Sequence, residues 1–135
     1  MTTVSADVIK GRVALATNQV MALPEDHTYQ VRPLKDYLKK PWYGLKALPY
    51  VTEGDDCDDR CGWLKEYWQK RIIRKKFRIK KPALPTFYCK VDVGGTCPHW
   101  VRLVVCKEGI KFIERIESDI IETNGIREVY AVLGV

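Results

Sequence analysis

The chain has 135 residues, 46% of them apolar and 30% charged, with seven prolines and nine glycines. That composition supplies one core of ordinary size and excludes a disordered tail, and no apolar run approaches the roughly 20 residues that cross a bilayer. The 23 Lys and Arg against 17 Asp and Glu give a net charge of +6, and it is unevenly placed: residues 65–81, KEYWQKRIIRKKFRIKK, hold nine basic residues against Glu66, so this segment carries +8 and the remainder −2. A local basic cluster with Tyr67, Trp68 and Phe77 interleaved is the electrostatic footprint of a polyanion binder.

In chain order, the first twenty residues lack the apolar block of a secretory signal, are poor in acids and carry Lys10 and Arg12, a composition compatible with an organelle presequence. Up to residue 52, short apolar runs alternate with Pro24, Pro33, Pro41 and Pro49, each of which removes a backbone donor and interrupts regular structure. This predicts an extended arm with a short helix or strand, gaining order against a partner. Residues 53–62, EGDDCDDRCG, lack the alternating ligands and closing Glu of a calcium loop, and are expected to form a solvated acidic loop.

From Trp63 the spacing predicts a helix. Leu64, Trp68 and Ile72 recur every fourth residue, Ile73 and Phe77 continue a neighbouring stripe, and neither Gly nor Pro intervenes before Pro82. Arg71, Lys75 and Arg78 would share a face. Trp68 is expected to pack in the core, whereas Trp63 and Tyr67 stand between packing and stacking on bases. Beyond Pro82 the period changes to two. Phe87–Val93 alternates, Gly94-Gly95 marks a turn, Trp100–Cys106 is a strong strand, and Ile110–Ile113 returns antiparallel after Lys107-Glu108-Gly109. Residues 118–132 form either another strand or a short helix opening near Asn124-Gly125. The expected class is α+β: a small antiparallel hairpin or meander in the C-terminal half, a basic helix or extension before it, and an extended N-terminal arm. The domain division that follows is 1–52 arm, 53–62 acidic loop and 63–135 basic segment with hairpin.

Five cysteines, an odd count without a signal peptide, point to reduced thiols in an intracellular compartment. Cys89 and Cys106 sit in strand-like runs and read as small core residues. Cys57, Cys61, Cys97 and His99 are zinc-ligand types, but three residues separate the first pair and only Pro98 separates the last two; neither metal nor cofactor is expected. His27 and His99 have no nucleophile or carboxylate partner at motif spacing, and Gly94-Gly95 lacks a phosphate-loop context, so no enzyme is expected.

Residues 80–85 (KKPALP), 100–114 (WVRLVVCKEGIKFIE) and 124–134 (NGIREVYAVLG) together resemble the bacterial-type large-subunit ribosomal protein twenty-eight family, in a divergent organellar form. The matching residues are Lys80-Lys81 before Leu84-Pro85, then Trp100, Val101, Leu103, Val105, Gly109, Ile113 and Glu114, and finally Gly125-Ile126. About 50 residues are covered. Departures are an insertion at 115–123, Thr86 for the family's Asn, and Pro82-Ala83 for its basic-aromatic step. The resemblance implies a structural constituent of a large ribosomal subunit, mitochondrial or of a plastid or other intracellular compartment. It also implies a terminal helix starting at Gly125-Ile126. Its partners would be rRNA and neighbouring ribosomal proteins, with no membrane and no small-molecule substrate. Charge and resemblance together make Lys70, Arg71, Arg74, Lys75, Lys76, Arg78, Lys80 and Lys81 the expected rRNA contacts, with Arg102, Lys107 and Lys111 added from the hairpin. The alternative is a pleckstrin-homology-like or phosphotyrosine-binding-like module for phosphoinositide or peptide. That alternative requires 65–81 to be a pair of strands.

Overall fold

The computed structural model describes residues 2–21, 28–39, 57–73, 83–95, 97–116 and 119–134. Strand β1 (Thr2–Ser5) leads into helix α1 (Ala6–Thr17) and then β2 (Thr28–Val31), which pairs back on β1 antiparallel. Helix α2 (Cys57–Trp68) and a π-helical turn (Gln69–Ile73) follow. Strands β3 (Thr86–Asp92), β4 (His99–Cys106), β5 (Gly109–Ile116), β6 (Asp119–Glu122) and β7 (Glu128–Leu133) then form one antiparallel sheet, in the order β6-β5-β4-β3-β7. The α+β class with a C-terminal meander is thus what the chain adopts. No helix among the described residues is long and apolar enough to cross a membrane.

Register assigns each side chain to a face. Phe87, Leu103 and Phe112 are aligned across three strands, as are Tyr88, Arg102 and Ile113. The first set faces α1 and the small hairpin, in a core of Ile9, Val13, Met21, Tyr29, Val31, Phe87, Val91, Val101, Leu103 and Val105, among others. The second set faces α2, where Leu64, Trp68, Leu84, Val104, Ile113 and Ile120 pack with Tyr37. Because both faces are covered, β4 is buried continuously from Val101 to Cys106 and does not alternate with solvent. Each large apolar side chain so buried contributes about 1.5–3 kcal/mol.

The N-terminal residues differ from the expected extended arm. Ser5 caps α1 by accepting from Val8 N–H at 3.3 Å, and Asn18, in the left-handed region at φ 59°, closes it by donating to Ala14 C=O. Ile9, Val13 and Thr17, four residues apart, put one helix stripe into the core. The proline punctuation begins only at Pro24, so nothing breaks a helix before it. After β2 the chain clasps the β4–β5 turn. Arg32 C=O accepts from Lys107 N–H at 3.1 Å, and Glu108 accepts from Leu34 N–H at the start of a short 3-10 turn.

Two further expectations are corrected. Residues 57–62 belong to α2, not to a loop, and 53–56 lie outside the described residues. The terminal helix implied by the resemblance is the strand β7, its period-two run Val129–Val132 being better used against β3. Gly109 has φ 120°, which explains a glycine directly after the Lys107-Glu108 turn.

The sheet has two protected edges. Strand β6 is four residues long and ends in Asp119 and Glu122. Strand β7 shifts register beside Lys90 and Val91, and the Gln19 amide donates to Val129 C=O at 3.0 Å.

Candidate nucleic-acid interface

Helix α2 carries two stripes at four-residue spacing. Leu64 and Trp68 are fully buried and Ile72 packs beside them, as the periodicity predicts. A buried indole needs an acceptor, and Trp68 Nε1 donates to Tyr37 C=O at 3.0 Å while the two rings meet edge to face at 5.0 Å. Burial pushes the Tyr37 phenol far above its ordinary pKa, so it stays neutral.

The second stripe is Trp63, Tyr67 and Arg71. Trp63 and Tyr67 stack nearly parallel, 5° apart with centroids 5.0 Å apart. The Arg115 guanidinium from β5 lies 4.4 Å over Trp63, and Arg71 lies 5.2 Å over Tyr67. A positive plane against an aromatic face is stabilising by about 0.5–2 kcal/mol, more as water is excluded. The rings therefore spend their faces on one another and on two guanidiniums, and are not presented for stacking on bases. A second stack lies on the same side of the sheet, with Arg102 at 4.5 Å over Tyr88 and Tyr88 edge to face with Trp100.

The sequence-predicted contacts fall into three groups. Arg74, Lys75, Lys76, Arg78, Lys80 and Lys81 lie outside the described residues, and Lys70 sits in the π-helical turn. Arg71 is half-buried, and its Nη1 donates to Lys39 C=O at 3.0 Å and to Tyr67 Oη at 3.3 Å. On the hairpin, Lys107 is exposed in the turn and Lys111 pairs with Glu122 at 3.7 Å. Arg102 is corrected: it is completely buried on the central strand beneath α2 and has no surface to offer a phosphate. Arg60 and Arg115 are buried with it. Nothing in the local sequence marks these two as interior, although the 63, 67, 71 spacing was available as a signal for the ladder. Residues 57–73 are helical, so the described part of 65–81 is not the pair of strands that the pleckstrin-homology-like alternative requires, and 74–81 lie outside the described residues.

A separate cleft of about 390 Å³ is lined by Cys97, His99, Glu114 and Thr123, among others. His99 does start β4, but it also gains a carboxylate partner that no local motif predicts, its Nε2 bonding Glu114 on the neighbouring strand. Burial raises the Glu114 carboxyl, and the hydrogen bond and charge of His99, together with Thr123 and the charge of Arg60, more than offset this, leaving it below the ordinary range. Cys97 is exposed, whereas Cys61 is buried, and no three metal-ligating side chains are grouped among the described residues. The Cys89 and Cys106 thiols are pushed up to about 12, by burial first and then by Cys61 and Glu108 respectively, and are inert core groups.

Compared with known proteins, the chain matches no protein-family model, no curated protein and no solved structure.

Proposed function

We propose that this chain is an RNA-binding scaffold protein and not an enzyme, gripping phosphates with the basic segment that leaves α2. The observation that carries this is the +8 of residues 65–81, a segment whose first residues lie on a helix anchored by the fully buried Trp68. Among the described residues, Arg60, Arg102 and Arg115 are buried, which leaves the sequence cluster at 65–81 as the densest run of positive charge. Lys107 supplies a further exposed cation. The large ribosomal subunit of an organelle is the assembly to which the resemblance of residues 80–85, 100–114 and 124–134 points, with rRNA and neighbouring ribosomal proteins as partners.

Binding of this kind releases condensed counterions, so its affinity falls with salt. Replacing Arg74, Lys75, Lys76 and Arg78 with Ala should weaken RNA binding and flatten the salt dependence by about 0.7–0.9 log units for each phosphate no longer neutralised. An unchanged slope would remove the segment as the RNA site. Gradient sedimentation with and without ribonuclease tests the assembly. Comigration with a large subunit, abolished by ribonuclease, supports it; a profile confined to the light fractions counts against it.

A further inference from the structure

We propose that Arg71 is a preorganised phosphate anchor, a guanidinium fork held ready for one phosphodiester of the bound RNA. This rests on the RNA reading and names the group that would fix its register. Arg71 follows Tyr67 by one helical turn, so its plane lies over that ring, and Tyr67 is itself backed by Trp63 and Arg115. Both of its hydrogen bonds, to Lys39 C=O and Tyr67 Oη, come from Nη1. Among the described residues, Nε and Nη2 donate no hydrogen bond and no carboxylate is paired with the group. The Nε–Nη2 edge is the one that meets two oxygens of a tetrahedral anion side by side.

The other arginines show what is distinctive here. Arg32 gives Nε to Asp36 at 2.9 Å and Nη1 to Gln30 at 3.1 Å, so its fork is occupied. Arg102 and Arg115 are buried. Among the described residues, Arg71 combines a held plane with an Nε–Nη2 edge that donates no hydrogen bond. An arginine carries about 2 kcal/mol of rotamer entropy, and a side chain already held has less to lose on binding. A carboxylate would fit the same fork, but Arg74, Lys75 and Lys76 follow within five positions, and such a run favours a ligand with charge repeated along a chain. Because both ring faces in the ladder are taken, the site recognises backbone and not base.

The test uses the full chain with nitrogen-15-labelled arginine, titrated separately with a single-stranded uridine oligonucleotide and with inorganic polyphosphate. The Arg71 Nε–H resonance should move with both. Arg71→Lys keeps the charge and loses the fork, and should weaken oligonucleotide binding roughly tenfold, whereas Arg12→Lys, on α1, should leave it unchanged. Oligonucleotide binding that survives Arg71→Lys at full strength, with an unmoved resonance, overturns the anchor and leaves the RNA reading standing. A resonance that moves with polyphosphate while the oligonucleotide fails to bind keeps the anchor and removes RNA as its ligand. If neither probe moves it, the anchor is wrong. The wild-type titration decides the matter even if the lysine variant folds poorly.

Discussion

The two faces of the sheet are covered in different ways. Beneath α1 the packing is aliphatic: Ile9 and Val13 from the helix meet Val91, Val101, Leu103 and Val105 from the strands. Beneath α2 the interior holds Arg60, Arg102 and Arg115 together with Tyr88, Trp63, Tyr67 and Trp68. Area burial suffices on the first face. On the second, each cation needs an electron-rich plane or an acceptor, so geometry is specified more tightly. Buried guanidiniums are thus accommodated on the face that α2 covers.

The contrast can be broken most forcefully at Trp68. Trp68→Ala should destabilise by about 3–5 kcal/mol, because it opens a cavity and leaves Tyr37 C=O without its indole donor. Leu103→Ala on the opposite face lacks the second penalty and should fall within about 2–5 kcal/mol. Urea denaturation of both variants measures the difference; a tryptophan variant milder than the leucine variant would deny the α2 face its stricter geometry.

The glycines inside the two helices sharpen the comparison. A Cβ on Gly62 in α2 would come 2.7 Å from Tyr88 Oη, and the Tyr88 ring is held between Arg102 and Trp100. Gly62→Ala should therefore cost about 1–2 kcal/mol through overpacking. A Cβ on Gly11 in α1 would meet nothing within 4 Å, so Gly11→Ala should stabilise by about 0.5–1 kcal/mol through helix propensity. Thermal unfolding reads both signs, and equal signs would contradict the packing described for the two helices.

The smallest effect concerns acid. Glu114 is held below its ordinary range, so on acidification the unfolded chain takes up this proton first. The stabilisation is complete above the ordinary carboxylate range and is lost as pH falls through that range to the lower folded value. Glu114→Gln should flatten the stability profile across that window. A profile that keeps its full slope would show that His99 and Glu114 are not coupled in solution.

Local signals announced the parts of this fold that local chemistry decides. The β4–β5 hairpin was readable from the apolar strand-like run Trp100–Cys106 and from Gly109 after the turn. The helix was readable from Leu64, Trp68 and Ile72. What escaped depends on partners distant in sequence. Arg102 reads as a surface cation on a strand until α2 is laid across it. His99 acquires Glu114 only when β4 and β5 pair. Helix α1 was obscured because the prolines after residue 23 colour the whole first third of the chain, although Ser5, Ile9, Val13 and Thr17 carry a cap and a stripe. Of the candidate interface, the clustering of charge along the chain was legible in the sequence, whereas the stacking of Trp63 and Tyr67 with Arg115 and Arg71 was not.

The two edges of the sheet have a consequence for life at high concentration. A long, uncharged outer strand is a template on which further chains add, and it is the usual nucleus of fibrous precipitates. Here one edge is short and acidic, while the other is bent by a bulge and has a backbone carbonyl occupied by Gln19. One amide side chain at the foot of α1 thus helps keep Val129–Leu133 from recruiting copies of itself, a protection that matters most where many copies are made before their partner is at hand.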